Sequence, residues 1–144
     1  MSKINDADTC FKEGFGCSQS VLSAFAPEFG LDREKALRVA GAFGGGMGRM
    51  GKTCGAVTGA FMVIGLKYAK LRPEDNQTRE KGYELVKEFV KRFQGRNSSI
   101  ECRKLLGHDI STPEGYRIIY EKGLTKDLCP KFVHDAVEIL EQIL

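Results

Sequence analysis

Residues 44–59 read GGGMGRMGKTCGAVTG, and two patterns overlap in them. Gly46 to Thr53 spells G-x-x-x-x-G-K-T, a full match to the phosphate-cradling P-loop. Cys54 follows at once and opens a different pattern, C-G-A-x-x-G. The first pattern requires a buried parallel strand that delivers the glycines into a helix N-terminus, hence an α/β sheet. The second requires only a fold that brings partners to the Cys54 thiol. Choosing between them decides the fold.

The flanking sequence favours the second. LDREKALRVAGAF, just before the loop, has an aspartate cap and helical spacing, not a strand pattern. No later apolar strand ends in a metal-holding aspartate. Nucleotide binding through residues 46–53 is therefore the weakest of the functional expectations, and the glycines are expected to let two helices approach closely.

Working outward, the chain reads as helical almost throughout. Asn5 or Asp6 can cap a first helix that runs into Gly14 and Gly16. A second follows Gly16 with Val21, Leu22 and Phe25 inward and ends by Phe29-Gly30. Asp32 caps a third, with Ala36, Leu37, Val39, Ala40 and Phe43 inward. Thr53 is the expected cap of a fourth, apolar helix to about Leu71. After Pro73, residues 75–94 place Tyr83, Val86, Val90 and Phe93 on one stripe widened by Leu85 and Phe89, stopped by Gly95. Ser98 with Glu101 forms a capping-box signature, and Thr112-Pro113 opens another helix that Gly123 stops. The last begins near Asp127 to Pro130 and carries Val133, Val137, Leu140 and Leu144. The expectation is one all-α domain over residues 1–144, a bundle of about six to eight helices, with a central apolar helix following the glycine loop.

Composition agrees. The chain has 144 residues, 42% of them hydrophobic and 28% charged, with net charge +3. That length can bury a core without staples. Basic and acidic residues alternate, as in RPEDNQTREKGYELVKEFVKR, which reads as solvated helix faces and not as a nucleic-acid surface. No apolar leader opens the sequence, and the run at residues 53–66 is too short to span a bilayer. A cytoplasmic protein without membrane insertion is expected, in a compartment that keeps thiols reduced.

Five cysteines then carry the chemistry. Cys17, Cys54, Cys102 and Cys129 each fall at or near an expected helix N-terminus, where free N–H groups favour thiolate over thiol. No C-x-x-C pair occurs, so they converge through tertiary structure or not at all. Gly55 and Gly59 stack at i, i+4 with Ala56 beside them, a small face that would let a neighbouring helix bring its cysteine to Cys54. Cys10 is expected as core or surface. His108 and His134 are expected at the surface. Arg49 and Lys52 flank the loop, either as solvent-facing charges or as cations that keep Cys54 ionised or attract an anionic substrate.

This ordered set resembles the redox-active protein family labelled C_GCAxxG_C_C, bacterial and archaeal proteins of similar length with four characteristic cysteines. Cys17 in GFGCSQSVL fits the first; Cys54, Gly55, Ala56 and Gly59 fit the central motif; Cys102 and Cys129 fit the third and fourth. Cys10 matches nothing in the pattern. The resemblance implies a redox role with no settled substrate or redox partner. Relatives are often encoded near transporter genes, which points to a membrane transporter system as context. Some are labelled selenoproteins. A similar segment in split-Soret cytochromes keeps an iron–sulfur or other soft-metal centre open, whereas the absence of C-x-x-C-H argues against attached c-type haem. The expected function is an oxidoreductase or electron-transfer protein whose four cysteines work as thiol/disulfide pairs or as ligands of such a centre. The alternative is a metal-binding accessory or sensor protein without turnover.

Overall fold

The computed structural model describes residues 2–144, and within them the chain forms eight right-handed α-helices with no β-strand. These are α1 (Lys3–Lys12), α2 (Cys17–Phe25), α3 (Arg33–Ala40), α4 (Gly55–Tyr68), α5 (Asn76–Asn97), α6 (Cys102–Leu106), α7 (Pro113–Glu121) and α8 (Leu124–Ile143). A 3-10 turn, Ala26–Phe29, extends α2. No described helix is long and apolar enough to cross a membrane.

The centre is α4. Its residues are apolar on every side, and Ala56, Val57, Ala60 and Val63 are fully buried, as a helix without a polar face must be. It packs against α2, α5 and α8. Against α2 the contact is made by small residues. A methyl group placed on Gly59 would lie 2.8 Å from the Ser18 carbonyl oxygen, and one on Gly55 would lie 3.0 Å from the Ser18 amide nitrogen. The close approach expected of Gly55, Ala56 and Gly59 is thus realised, and α2 is the partner. Ser18 in turn donates its hydroxyl to the Ala40 carbonyl at 2.8 Å, tying α3 to the same seam.

Aromatic rings bind the other side. Phe61, Phe89, Phe93 and Phe132 form a chain with centroids 5.8–6.3 Å apart, within the range in which ring pairs attract beyond simple burial. The buried stripe of α5 is Leu85, Phe89 and Phe93 at i, i+4, i+8. Tyr83, expected inward, is exposed, as is Val39 on α3.

Several caps differ from expectation, each for a local reason. Ser2, not Asn5 or Asp6, caps α1 by accepting from the Asn5 amide. Gly95 does not stop α5. The helix continues to Asn97 because Arg96 and Asn97 are bonded to Asp135 on α8, which outweighs the ~1 kcal/mol cost of an interior glycine. Ser98 is left-handed (φ 72°) and closes α5, so Glu101 becomes the N-cap of α6. Cys54 replaces Thr53 as the N-cap of α4, and that helix ends at Tyr68. The last helix starts at Leu124, with Pro130 inside it. Proline removes one hydrogen bond, to the Lys126 carbonyl, but Leu124, Leu128 and Phe132 pack on the core at i, i+4, i+8 and hold the extra turns.

Asp135 is the one acid with its side chain in the core packing. It accepts from Lys131 at 2.7 Å, Asn97 at 3.1 Å and Arg96 at 3.2 Å. Burial alone would raise its pKa; the bonds from Lys131 and Asn97 overcome that and hold it below its ordinary value. A depressed carboxyl stabilises the fold above the unfolded value of about 3.9 and stops doing so as pH falls through the lower folded value. Asp135→Asn is expected to destabilise by about 1–2 kcal/mol at pH 7, given its half-exposed partners. It should also flatten the loss of stability below about pH 4. Urea titrations at pH 7 and pH 3 check both; an equal loss at the two values would refute the charge-based account.

Candidate functional site

The glycine loop folds in an unusual way. Gly45, Gly46, Met47, Gly48 and Arg49 all have φ between 61° and 69°. They form one turn of left-handed helix, a conformation that costs an L-residue roughly 1–2 kcal/mol and that glycine enters freely. The turn spends its own donors. The amides of Met47, Gly48 and Arg49 bond back to Phe43 and Gly44, and those of Gly51 and Lys52 bond to the carbonyls of Gly45 and Gly46. These are amides that would wrap a phosphate in a P-loop. With them consumed, and a helix where the strand should be, the cradle does not form. No binding heat is expected on titrating magnesium ATP, with Lys52→Ala indistinguishable from the parent; saturable binding lost in that variant would reverse this.

What the loop does instead is set two cysteines side by side. Arg103 donates to the carbonyls of Gly51 and Met50, both at 3.1 Å, and lies 3.5 Å from Asp109. Next to this clamp, Thr53 and Glu101 form an isolated antiparallel bridge. The Cys54 amide donates to Ile100 at 2.7 Å and the Cys102 amide to Lys52 at 2.6 Å. Cys54 and Cys102 therefore follow the two halves of one backbone pair. Gly46 leaves the room: a methyl group there would lie 2.7 Å from the Cys102 Cβ. Sequence reading had no signal for Arg103 or for the bridge, because both join segments about fifty residues apart.

The other two cysteines arrive on α2 and α8. The tight α2–α4 seam brings Cys17 over Gly55, whose added methyl would lie 3.2 Å from the Cys17 Cβ. Cys129, in the second turn of α8, lines the same cavity as Cys17 and is the strongest electrostatic influence on it. All four line one cavity of about 900 Å³, and their charges act on one another. The structure thus places Cys17, Cys54, Cys102 and Cys129 on the wall of one cavity. Cys10 stays apart, buried and bonded to the Ser23 hydroxyl at 3.6 Å. His108 is half-buried and His134 half-exposed, 3.8 Å from Asp135; neither lines the cavity.

The expected electrostatics need correction. Helix N-termini do not lower all four pKa values. Burial pushes Cys54 up to about 12, against the amide of Ala56, which favours its thiolate. Burial likewise raises Cys102 to about 11. Cys17 is raised well above the ordinary range by its hydrogen bond to Cys129 and by burial, and Cys129 is lowered by that same bond despite burial. Of the two, Cys129 is the one that ionises more readily. It is also the one of these four beyond the first helical turn, where the helix dipole has faded. Arg49 stands over the Tyr116 ring at 5.0 Å.

All five cysteines are free thiols. A metal centre needs its ligands turned toward a common point, and among the described residues no group of three or more His, Cys, Asp or Glu side chains is placed to hold a metal ion.

A family model described as "Putative redox-active protein (C_GCAxxG_C_C)" matches residues 15–143. Its label writes glycine before cysteine in the central motif. In this chain Cys54 precedes Gly55, the order that puts the thiol at the N-cap and the glycine against Ser18. No curated protein and no solved structure matches the chain.

Proposed function

This chain belongs to the redox-active family labelled C_GCAxxG_C_C, and from that premise we propose that it performs thiol–disulfide exchange with Cys17 and Cys129 as its reactive pair. The observation that carries the reading is that Cys17 and Cys129 line one cavity and shift each other's titration in opposite directions. A thiolate with a neighbouring thiol is what exchange requires. The Cys129 thiolate attacks one sulfur of a substrate disulfide, forms a mixed disulfide and expels the other half as a thiolate, which takes a proton from water. Cys17 then attacks the Cys129 sulfur and gives up its proton to the departing thiolate. The products are the Cys17–Cys129 disulfide and two substrate thiols; two electrons pass from protein to substrate. Cys54 and Cys102 form a second dithiol, held as neutral thiols by burial.

Mild oxidation of the anaerobically purified, reduced protein tests this. Peptide mapping should find Cys17 joined to Cys129 first, with Cys54 and Cys102 still free. Before oxidation, iodoacetamide should label Cys129 at a pH below the ordinary thiol value of about 8.5, and label Cys54 and Cys102 only in strong alkali. One equivalent of tightly bound iron or zinc, with all four thiols protected, would overturn the exchange reading in favour of a ligand role.

A further inference from the structure

The lining of the cavity has a composition that exchange by itself does not require. Its charged residues are Lys12, Arg49 and Lys126, and it contains no Asp or Glu. Lys12 is neutralised by Asp8 at 2.9 Å. Among the described residues Arg49 and Lys126 make no ion pair. Lys126 lies three positions before Cys129 on α8, the same helical face. The wall also carries the apolar side chains of Phe15, Phe132 and Ile110. A volume of about 900 Å³ falls in the range of roughly 300–1,000 Å³ typical of small-molecule sites.

Resting on the exchange reading, we infer that this cavity binds a low-molecular-weight disulfide bearing carboxylates, with Arg49 and Lys126 as countercharges. A basic, half-enclosed pocket beside a thiolate raises the local concentration of anionic substrate and selects against cationic ones. The bulk of a folded protein does not fit the space.

The test is the rate at which the reduced protein forms its Cys17–Cys129 disulfide with three probes: glutathione disulfide (anionic), bis(2-hydroxyethyl) disulfide (neutral) and cystamine (cationic). Each rate is divided by that of free dithiothreitol with the same probe, which removes leaving-group differences. The expected order is anionic, neutral, cationic, with the first at least about tenfold above the second at low salt and the gap closing as salt is added. Lys126→Glu should cut the anionic-to-neutral ratio by about tenfold. Lys91→Glu, the same charge change on an exposed site of α5 away from the cavity, should leave that ratio as it is. Equal normalised rates for all three probes would overturn the substrate class while leaving exchange standing. Insulin disulfides reacting as fast as glutathione disulfide would do the same. Failure of every probe to form the Cys17–Cys129 disulfide would instead remove the exchange reading itself.

Discussion

Cys17→Ala should stop disulfide exchange at its midpoint. With the resolving sulfur gone, the Cys129 thiolate can still attack a substrate disulfide, but the mixed disulfide has no partner to displace it, and it should accumulate as a stable adduct visible by mass spectrometry. The same variant should raise the pKa of Cys129. Cys17 is the largest influence that lowers it, and what remains is burial, which raises it. The midpoint of its alkylation should move to or above about 8.5, so at pH 7 the first attack should slow as well. Cys129→Ser is the complementary case: it removes the nucleophile, and neither adduct nor intramolecular disulfide should form. A Cys17→Ala protein that still closes an intramolecular disulfide at the parent rate would show that another sulfur of the cavity, Cys54 or Cys102, is the resolving partner.

The largest structural effect is expected at Gly46. Alanine there meets two separate penalties. Its φ of +69° belongs to the left-handed region, and its methyl group would lie 2.6 Å from the Lys52 amide nitrogen, 2.7 Å from the Cys102 Cβ and 2.8 Å from the Gly51 carbonyl carbon. Two of those atoms are backbone held by the turn and cannot move aside. The left-handed conformation costs roughly 1–2 kcal/mol and overpacking a further 1–3, so Gly46→Ala should lose roughly 2–5 kcal/mol. For a chain of this length that corresponds to a Tm lower by about 5–20 °C. Two neighbours separate the causes. Gly48 has φ +61° but its nearest contact is 3.8 Å away, so Gly48→Ala should carry the conformational cost alone; Gly44 has neither feature and should tolerate alanine. Thermal unfolding of the three variants checks the ranking, and a Gly46→Ala protein as stable as Gly44→Ala would mean the left-handed turn does not form as described. Because Gly46 abuts Cys102, the variant should also disturb the Cys54–Cys102 pair while leaving Cys17 and Cys129 in contact.

The helical architecture was legible because its signals are local. Asp32 caps α3 and Thr112 caps α7 through their own side chains, and the Gly55–Gly59 spacing announces a close helix contact wherever it is used. Local signals also produced the errors. Gly95 and Pro130 are ordinary breakers, yet both lie inside helices, because Asp135 in one case and the Leu124–Leu128–Phe132 stripe in the other contribute more than the breaker costs. Thr53 looked like a cap and is instead half of a backbone bridge to a segment that no local pattern connects to it.

The four cysteines were found from their residue type and order, and so was the preference for a thiol site over a phosphate cradle. Their pairing and their protonation were not legible. A pKa depends on what surrounds a sulfur in three dimensions. Desolvation at Cys54 and Cys102 outweighs what a helix start provides, while the neighbourhood of Cys17 makes Cys129 the more acidic of that pair. By itself the sequence determined an all-helical chain with a glycine-hinged central helix and four candidate thiols, because capping, periodicity and spacing act over a few residues. Only the tertiary structure decided that the GGGMGRMG loop winds left-handed, uses up its own amides and presses against Cys102, because those bonds depend on which distant backbone the folded chain lays beside it.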